Sequence, residues 1–199
     1  MEDWALRAMQ RWPNVPALFG WLSLDRRGHW LIRGEIISRP QIIETINRNY
    51  AADEHGRWFF QNGPQRGYLT LEYAPFVLHV DGDRLLTHTG LTVEHPSRAY
   101  LDEEGSLVFQ TEHGPGLLID TDLDWALNEI SAAGQPVDED SLTTALALPS
   151  GQETSLQLAL GGTLLALTRL DRSHLPSALG FVADPQPREG ERVSTRIAD

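Results

Sequence analysis

The 199-residue chain contains no cysteine and no lysine. The first absence removes disulfides, thiolate nucleophiles and Cys-ligated zinc. The second removes the Schiff-base amine and the phosphate-binding lysine of a P-loop. All 16 basic side chains are Arg, the bias a GC-rich coding sequence produces. Long apolar runs are also missing: charge or Pro interrupts each one well short of the ~20 residues that span a bilayer. Residues 1–7 (Met-Glu-Asp-Trp-Ala-Leu-Arg) are acidic and amphipathic, unlike the basic start and apolar core of a secretory signal. The expectation is a cytoplasmic protein.

Catalytic motifs are missing too. There is no Gly-x-Ser-x-Gly, and Ser150-Gly151 lacks the context of a nucleophile elbow. Gly161-Gly162 lacks the Gly-x-Gly-x-x-Gly form that cradles a pyrophosphate. Asp102-Glu103-Glu104 and Asp138-Glu139-Asp140 are consecutive carboxylates in polar stretches, where like charges stay in water, rather than a spaced glycosidase pair. His79, Asp81, Asp83 and His88 share one predicted hairpin. They have none of the ligand spacings of a zinc or calcium site and read as solvated turn residues, so no metal is assigned.

What is present is enough apolar material, 41% of residues, for a globular core. The net charge is −12 and uneven. Residues 1–80 hold nine Arg against eight acids; residues 81–199 hold seven Arg against twenty acids. A strongly acidic half repels phosphate backbones, which excludes nucleic acid as a partner. A small anion would bind in the first half. The shift in charge suggests two units, 1–80 (N-terminal, α+β) and 81–199 (C-terminal, acidic, β-rich).

Residues 2–11 read as an amphipathic helix, with Trp4, Ala5, Ala8, Met9 and Trp12 at helical spacing and Pro13 as its stop. Strands are expected over 18–24, 29–33, 57–61, 67–73, 76–80, 84–89, 99–101, 107–111 and 117–120. Most meet at Asp/Asn-Gly turns. A second helix opens at Pro40, with Ser38 available as its cap and Ile42, Ile43, Ile46 and Tyr50 as its stripe. A third covers 123–132, capped by Asp122. Residues 134–141 read as an acidic loop. Apolar segments 142–148, 155–160 and 163–170 favour strands, with helix left open. The fold class is α+β, mostly antiparallel β with about three helices.

One pattern recurs. Residues 53–61 and 102–110 share Asp-Glu-x-Gly-x-x-x-Phe-Gln, and residues 25–32 carry a looser copy. Each is a polar turn ending in Gly that feeds an apolar strand. A duplicated unit would produce this, as would two hairpins of similar composition.

Gly28-His29-Trp30, Arg33-Gly34, the Pro40-led helix, the Asp53-x-x-Gly56 turn with Trp58, Pro64 and Ala74-Pro75-Phe76-Val77 together resemble the proteobacterial DUF1285 proteins, or a sister family of unknown function. The resemblance covers about residues 24–80 and extends toward 130. It implies a duplicated α+β motif and a second domain superficially like pleckstrin-homology folds. It also implies a cleft between the halves for a nucleotide-like ligand, and a signalling role. Residues 134–183 depart from it.

The candidate ligand-binding residues are Arg48, Arg57, Gln61, Asn62, Arg66 and Glu72, set among Trp58, Phe59, Phe60 and Tyr68. Arg forks bind phosphate or carboxylate bidentately, and aromatic faces stack on planar rings. The same residues would serve equally to fill a sheet core and close its turns. The reading is a non-enzymatic binding or regulatory protein for a nucleotide-like or other small anion. The alternatives are a metal-assisted hydrolase using His and Asp, or a protein–protein adaptor using the acidic half. No cofactor or oligomeric state is assigned.

Overall fold

The computed structural model describes residues 3, 7 and 16–193. The helix expected over residues 2–11 lies outside the described residues apart from Asp3 and Arg7, which are helical and exposed. The fold is α+β, with two sheets and four α-helices among the described residues. Two compact units divide the chain: Met1–Tyr73 with Gly180–Asp199 (unit 1), and Ala74–Leu179 (unit 2). Asp81–Asp83, where charge suggested a boundary, is the turn of a hairpin in unit 2.

Unit 1 runs β1 (Leu18–Leu24), β2 (Trp30–Ile32), β3 (Glu35–Ile36), α1 (Pro40–Arg48), β4 (Tyr50–Ala52), β5 (Trp58–Asn62) and β6 (Gln65–Leu71). The sheet order is β3-β2-β1-β6-β5-β4, and β1 is parallel to β6. Pro40 starts α1 because its missing N–H costs nothing in a first turn. The residue before it is Arg39, with no side-chain cap, so Ser38 does not serve as the cap. Helix α1 is fixed by Ile46, which is buried, and by Trp30 Nε1 donating to Asn47 Oδ1 at 2.8 Å. The C-terminal segment returns to this unit. Leu71 N donates to Ala183 O and Val182 N to Gly56 O. Gly56 has φ +74°, and a Cβ there would run into the carbonyl of Gly180, so the turn and the returning segment both require Gly.

Unit 2 holds β7 (Phe76–Asp81), β8 (Arg84–Thr87), β9 (Thr92–Val93), β10 (Arg98–Leu101), β11 (Leu107–Thr111) and β12 (Gly114–Leu118). After these come α2 (Leu123–Glu129), β13 (Ile130–Ala132), β14 (Gln135–Pro136), α3 (Glu139–Leu146), β15 (Glu153–Leu160), β16 (Thr163–Arg169) and α4 (Leu175–Leu179). One sheet takes all ten strands, in the order β14-β13-β15-β16-β10-β11-β12-β7-β8-β9.

Three expectations are corrected here. The segment near 142–148 is helix, not strand. Asp138 caps it by accepting from Ser141 N at 2.8 Å, and Leu142, Ala145 and Leu146 then share one face. Residues 134–141 accordingly hold β14 and the first turn of α3 rather than a loop. Asp122 makes no side-chain cap for α2; its Oδ2 accepts from Val80 N at 2.7 Å, tying the helix start to β7.

The first six strands of unit 2 follow unit 1 in order and sense. Sheet order β9-β8-β7-β12-β11-β10 matches β3-β2-β1-β6-β5-β4, and β7 is parallel to β12 as β1 is to β6. The turn entering β5 and the turn entering β11 share one set of hydrogen bonds. Asp53 Oδ1 accepts from Arg57 N and Asp102 Oδ1 from Ser106 N, while Gly56 and Gly105 donate back to the Asp carbonyls at φ +74° and +84°. Phe60 faces Gly67 across the ladder as Phe109 faces Gly116. Leu22 lies over Gly67, and Leu78 over Gly116, close enough to leave no room for a Cβ.

Candidate functional site

Strand alternation decides what each sequence-predicted residue can do. On β5, Phe59 and Gln61 point to one face; Trp58, Phe60 and Asn62 point to the other, against α1. The six candidates therefore do not converge. Gln61 and Arg66 meet on the first face, where Arg66 Nε donates to Gln61 Oε1 at 3.3 Å and the guanidinium lies 4.4 Å from the Phe59 ring centroid. Asn62 is on the second face. Arg48 is exposed at the end of α1. Glu72 is exposed and accepts from Arg26 N at 3.1 Å.

Arg57 is committed internally. Its Nε donates to Asp53 Oδ2 at 2.8 Å, and its two terminal nitrogens reach Glu191 Oε1 and Oε2 at 2.6 and 2.9 Å. Nη2 also donates to Tyr68 Oη, and the guanidinium sits 4.5 Å from the Tyr68 ring, which stacks on Phe19. Hydrogen bonds from Arg57 hold Glu191 below the usual carboxylate range. Burial pushes Asp53 up, but the Arg57 amide and guanidinium more than offset it, so its pKa too is lowered. Arg57 is raised further above its ordinary value, first by Glu191. A guanidinium held this way closes the fold and has no fork left for a ligand.

The second face carries a cavity of about 290 Å³ between α1 and the sheet. Leu18, Trp21, Leu22, Ile32, Ile37, Ile42, Ile46 and Phe60 form its apolar wall, and Asn62 and Gln65 are the polar residues among its lining. Trp21, Leu22, Ile32, Ile37 and Phe60 are only half-buried, and Ile42 is exposed. Arg33 lies over Trp21 with its guanidinium 3.7 Å from the ring centroid. Its φ of +52° comes from the two-residue turn Arg33-Gly34, and Ala133 before Gly134 repeats that conformation. Arg33 is exposed, and no carboxylate pairs with it among the described residues. The sequence reading missed this place because its residues come from β1, β2, α1, β5 and β6. Only the Ile42/Ile46 stripe hinted at it.

In unit 2, Ser150 Oγ lies 2.8 Å from His174 Nδ1, and Asp171 N donates to the same oxygen at 2.9 Å. Asp171 Oδ1 pairs with buried Arg169 at 2.7 Å. The serine and histidine are exposed or half-exposed, and the serine oxygen already accepts an amide, so the group clasps two loops. The hydrolase alternative gains no metal cluster: no group of three or more His, Asp or Glu is placed to hold an ion among the described residues. No helix among them is long and apolar enough to cross a membrane.

The DUF2944 family model, described as a protein of unknown function (DUF2946), matches residues 1–186. No curated protein matches the chain. The crystal structure of a DUF1285 family protein from Silicibacter pomeroyi DSS-3 is similar at TM-score 0.51 and 15% identity, over 78% of this chain and 85% of that one. A second DUF1285 structure, from Shewanella baltica OS155, covers 54% of this chain and 87% of that one at TM-score 0.41 and 14% identity. The first likeness establishes a shared fold, in keeping with the resemblance carried by the turns and aromatics.

Proposed function

The chain belongs to the DUF2944 family, whose function is unknown, and from that premise we propose that it is a non-enzymatic binding protein whose ligand is a small amphipathic anion held in the apolar cavity of unit 1. The observation that carries this is the pairing of that 290 Å³ cavity with an exposed, carboxylate-free Arg33 stacked on one of its walls. An apolar body would enter between α1 and the sheet. An anionic head would take the Arg33 fork, whose planar donors suit carboxylate or phosphate. The volume is at the low end for ligand sites, so the body is short. A regulatory role suits a binding site with no reactive group in it.

Each methylene buried contributes about 0.8 kcal/mol, or about fourfold in affinity. Linear carboxylates of increasing length should therefore raise the melting temperature in fourfold steps of affinity until the cavity is full. Arg33→Ala should abolish the preference for carboxylate over its methyl ester and keep the chain-length dependence. Affinity independent of chain length would sink the proposal.

A second reading keeps the planar, nucleotide-like anion. It is favoured by Arg66 lying over Phe59 with its Nε tied to Gln61. AMP in the same screen tests it: binding lost in Arg66→Ala supports it, and no AMP-dependent shift removes it.

The two six-strand arrangements also read as copies of one ancestral unit. The support is the matched strand order and sense, the shared Asp-x-x-Gly turns and the leucine-over-glycine packing at Gly67 and Gly116. On that reading the space beside Leu22 and Phe60 is filled in the other copy, where the counterpart residues Leu78 and Phe109 are fully buried. Unit 2 instead carries a smaller apolar pocket of about 180 Å³ lined by Leu107, Leu123, Leu142 and Leu146.

A further inference from the structure

We propose that unit 2 holds a second binding site, for a small organic cation: a primary amine or guanidinium on a short carbon body. The site is a concavity of about 290 Å³ walled by Asp83, Trp125, Glu129, Ala159 and the Gly161-Gly162 turn. Two hairpin tips build it. Strands β15 and β16 join at Gly161-Gly162, and β7 and β8 join at Gly82-Asp83. Four strands separate β16 from β8 in the sheet order, yet a Cβ on Gly161 would lie 4.0 Å from the Asp83 carbonyl oxygen. Glu129, the last residue of α2, and Trp125, four positions earlier on the same helix face, close the remaining side. Gly161 and Gly162 both have positive φ, +55° and +79°, and without side chains they leave the turn backbone open to the space.

Acidic side chains are common in residues 81–199 and single ones signify little on such a surface. This place differs because its carboxylates border a concavity that has an indole as its wall. Trp125 and Glu129 are half-buried, and among the described residues neither side chain is engaged by a hydrogen bond, ion pair or ring contact. The last turn of α2 carries no basic residue, although a helix C-terminus favours a cation.

The adjoining concavity, of about 200 Å³, shares Asp83, Leu160 and Gly161 with this one and already contains a cation. Arg84 stands there with its guanidinium 4.0 Å from Asp83 and 3.8 Å from Glu94. The fold thus supplies its own guanidinium on one side of the Gly161 turn and none on the other, where no basic residue is in the lining. A ligand cation would donate to the Glu129 carboxylate and lie against the Trp125 ring. The site shares no residue with the unit 1 cavity, so either can fail while the other stands.

The probe is agmatine, titrated calorimetrically into the full chain at low salt, with 1-butanol as the four-carbon body without charge. Agmatine should saturate one site with a Kd near or below about 1 mM, and 1-butanol should not bind. Glu129→Gln should weaken agmatine about tenfold, and Trp125→Leu about threefold or more. Glu104→Gln, an exposed acid outside the concavity that makes the same change in net charge, should alter the affinity by less than about twofold. Ala159→Lys places a tethered ammonium in the concavity and should abolish agmatine binding. That variant also decides the matter if Glu129→Gln does not fold. No saturable binding up to about 10 mM, equal weakening by Glu104→Gln and Glu129→Gln (diffuse attraction to an acidic surface), equal binding of 1-butanol, or agmatine affinity unchanged in Ala159→Lys would each overturn the proposal.

Discussion

Units 1 and 2 lay six strands in the same order around the same leucine-over-glycine contact, and they stabilise that arrangement by different means. In unit 2 Leu78, Leu85, Phe109 and Leu117 are fully buried around that contact, Ser106 follows the Asp102 turn, and the buried guanidinium, Arg169, comes instead from β16 and pairs with Asp171. Unit 1 puts Arg57 in the place of Ser106 and spends the position on an ion cluster with Asp53, Tyr68 and Glu191, while its opposite face stays open as a cavity. The topology is kept while the residue after the turn changes from a small hydroxyl to a guanidinium bound to two carboxylates, and the opposite face of unit 1, beside Phe60, is where binding is to be sought.

The contrast is most easily broken at Arg57. Arg57→Ala leaves two carboxylates without their cation and should cost about 3–5 kcal/mol in denaturant melting. A loss below about 1 kcal/mol would mean the cluster is decorative and the two units are stabilised alike. The aromatic pair comes next. Phe109→Ala should cost about 3–5 kcal/mol as a full core truncation, and Phe60→Ala, beside a cavity, about half of that. Equal losses would say that the face of unit 1 is closed in solution.

The glycines give a finer measure. Adding a methyl at Gly116 meets three side-chain atoms of Leu78 at 2.6–2.8 Å, and at Gly67 meets Leu22 Cδ1 at 2.8 Å. Leu78 is sealed in, whereas Leu22 borders open space. Gly116→Ala should therefore cost about 1–3 kcal/mol through overpacking, and Gly67→Ala less. Thermal melts of the two variants check the order.

Acid should give the smallest effect and the most specific one. Asp53 and Glu191 have lowered pKa values, so the stability they contribute through Arg57 is present above the ordinary carboxylate pKa. That contribution is lost as pH falls through the lowered folded values. The stability gap between wild type and Arg57→Met should accordingly be constant near neutral pH and shrink below about pH 4. A gap that does not change with pH would detach the carboxylates from the cluster.

Much of the local structure was legible in the sequence because it depends on near neighbours. The Asp-x-x-Gly turns at 25, 53 and 102 formed with the same side-chain-to-backbone bonds, since an Asp oxygen and a glycine at positive φ suffice to make them. The alternation of β5 separated Phe59 from Trp58 and Phe60 as period two requires. The segment at 139–146 was misjudged because its Leu, Ala and Thr residues suit either element, and the decision lies in the Asp138 cap. The candidate site fared worst. Arg57 looked like a ligand fork, and a carboxylate 134 positions away takes it. Nothing local in the sequence announces that pairing. Nor could periodicity show that β1 runs parallel to β6, which is what brings Leu22 over Gly67 and opens the cavity beside Phe60. Sequence determined the turns and the faces of the strands, because those follow from bonds between residues a few positions apart. Tertiary structure decided which arginine is consumed and which is left exposed, because burial and charge pairing depend on segments that meet only when the chain closes.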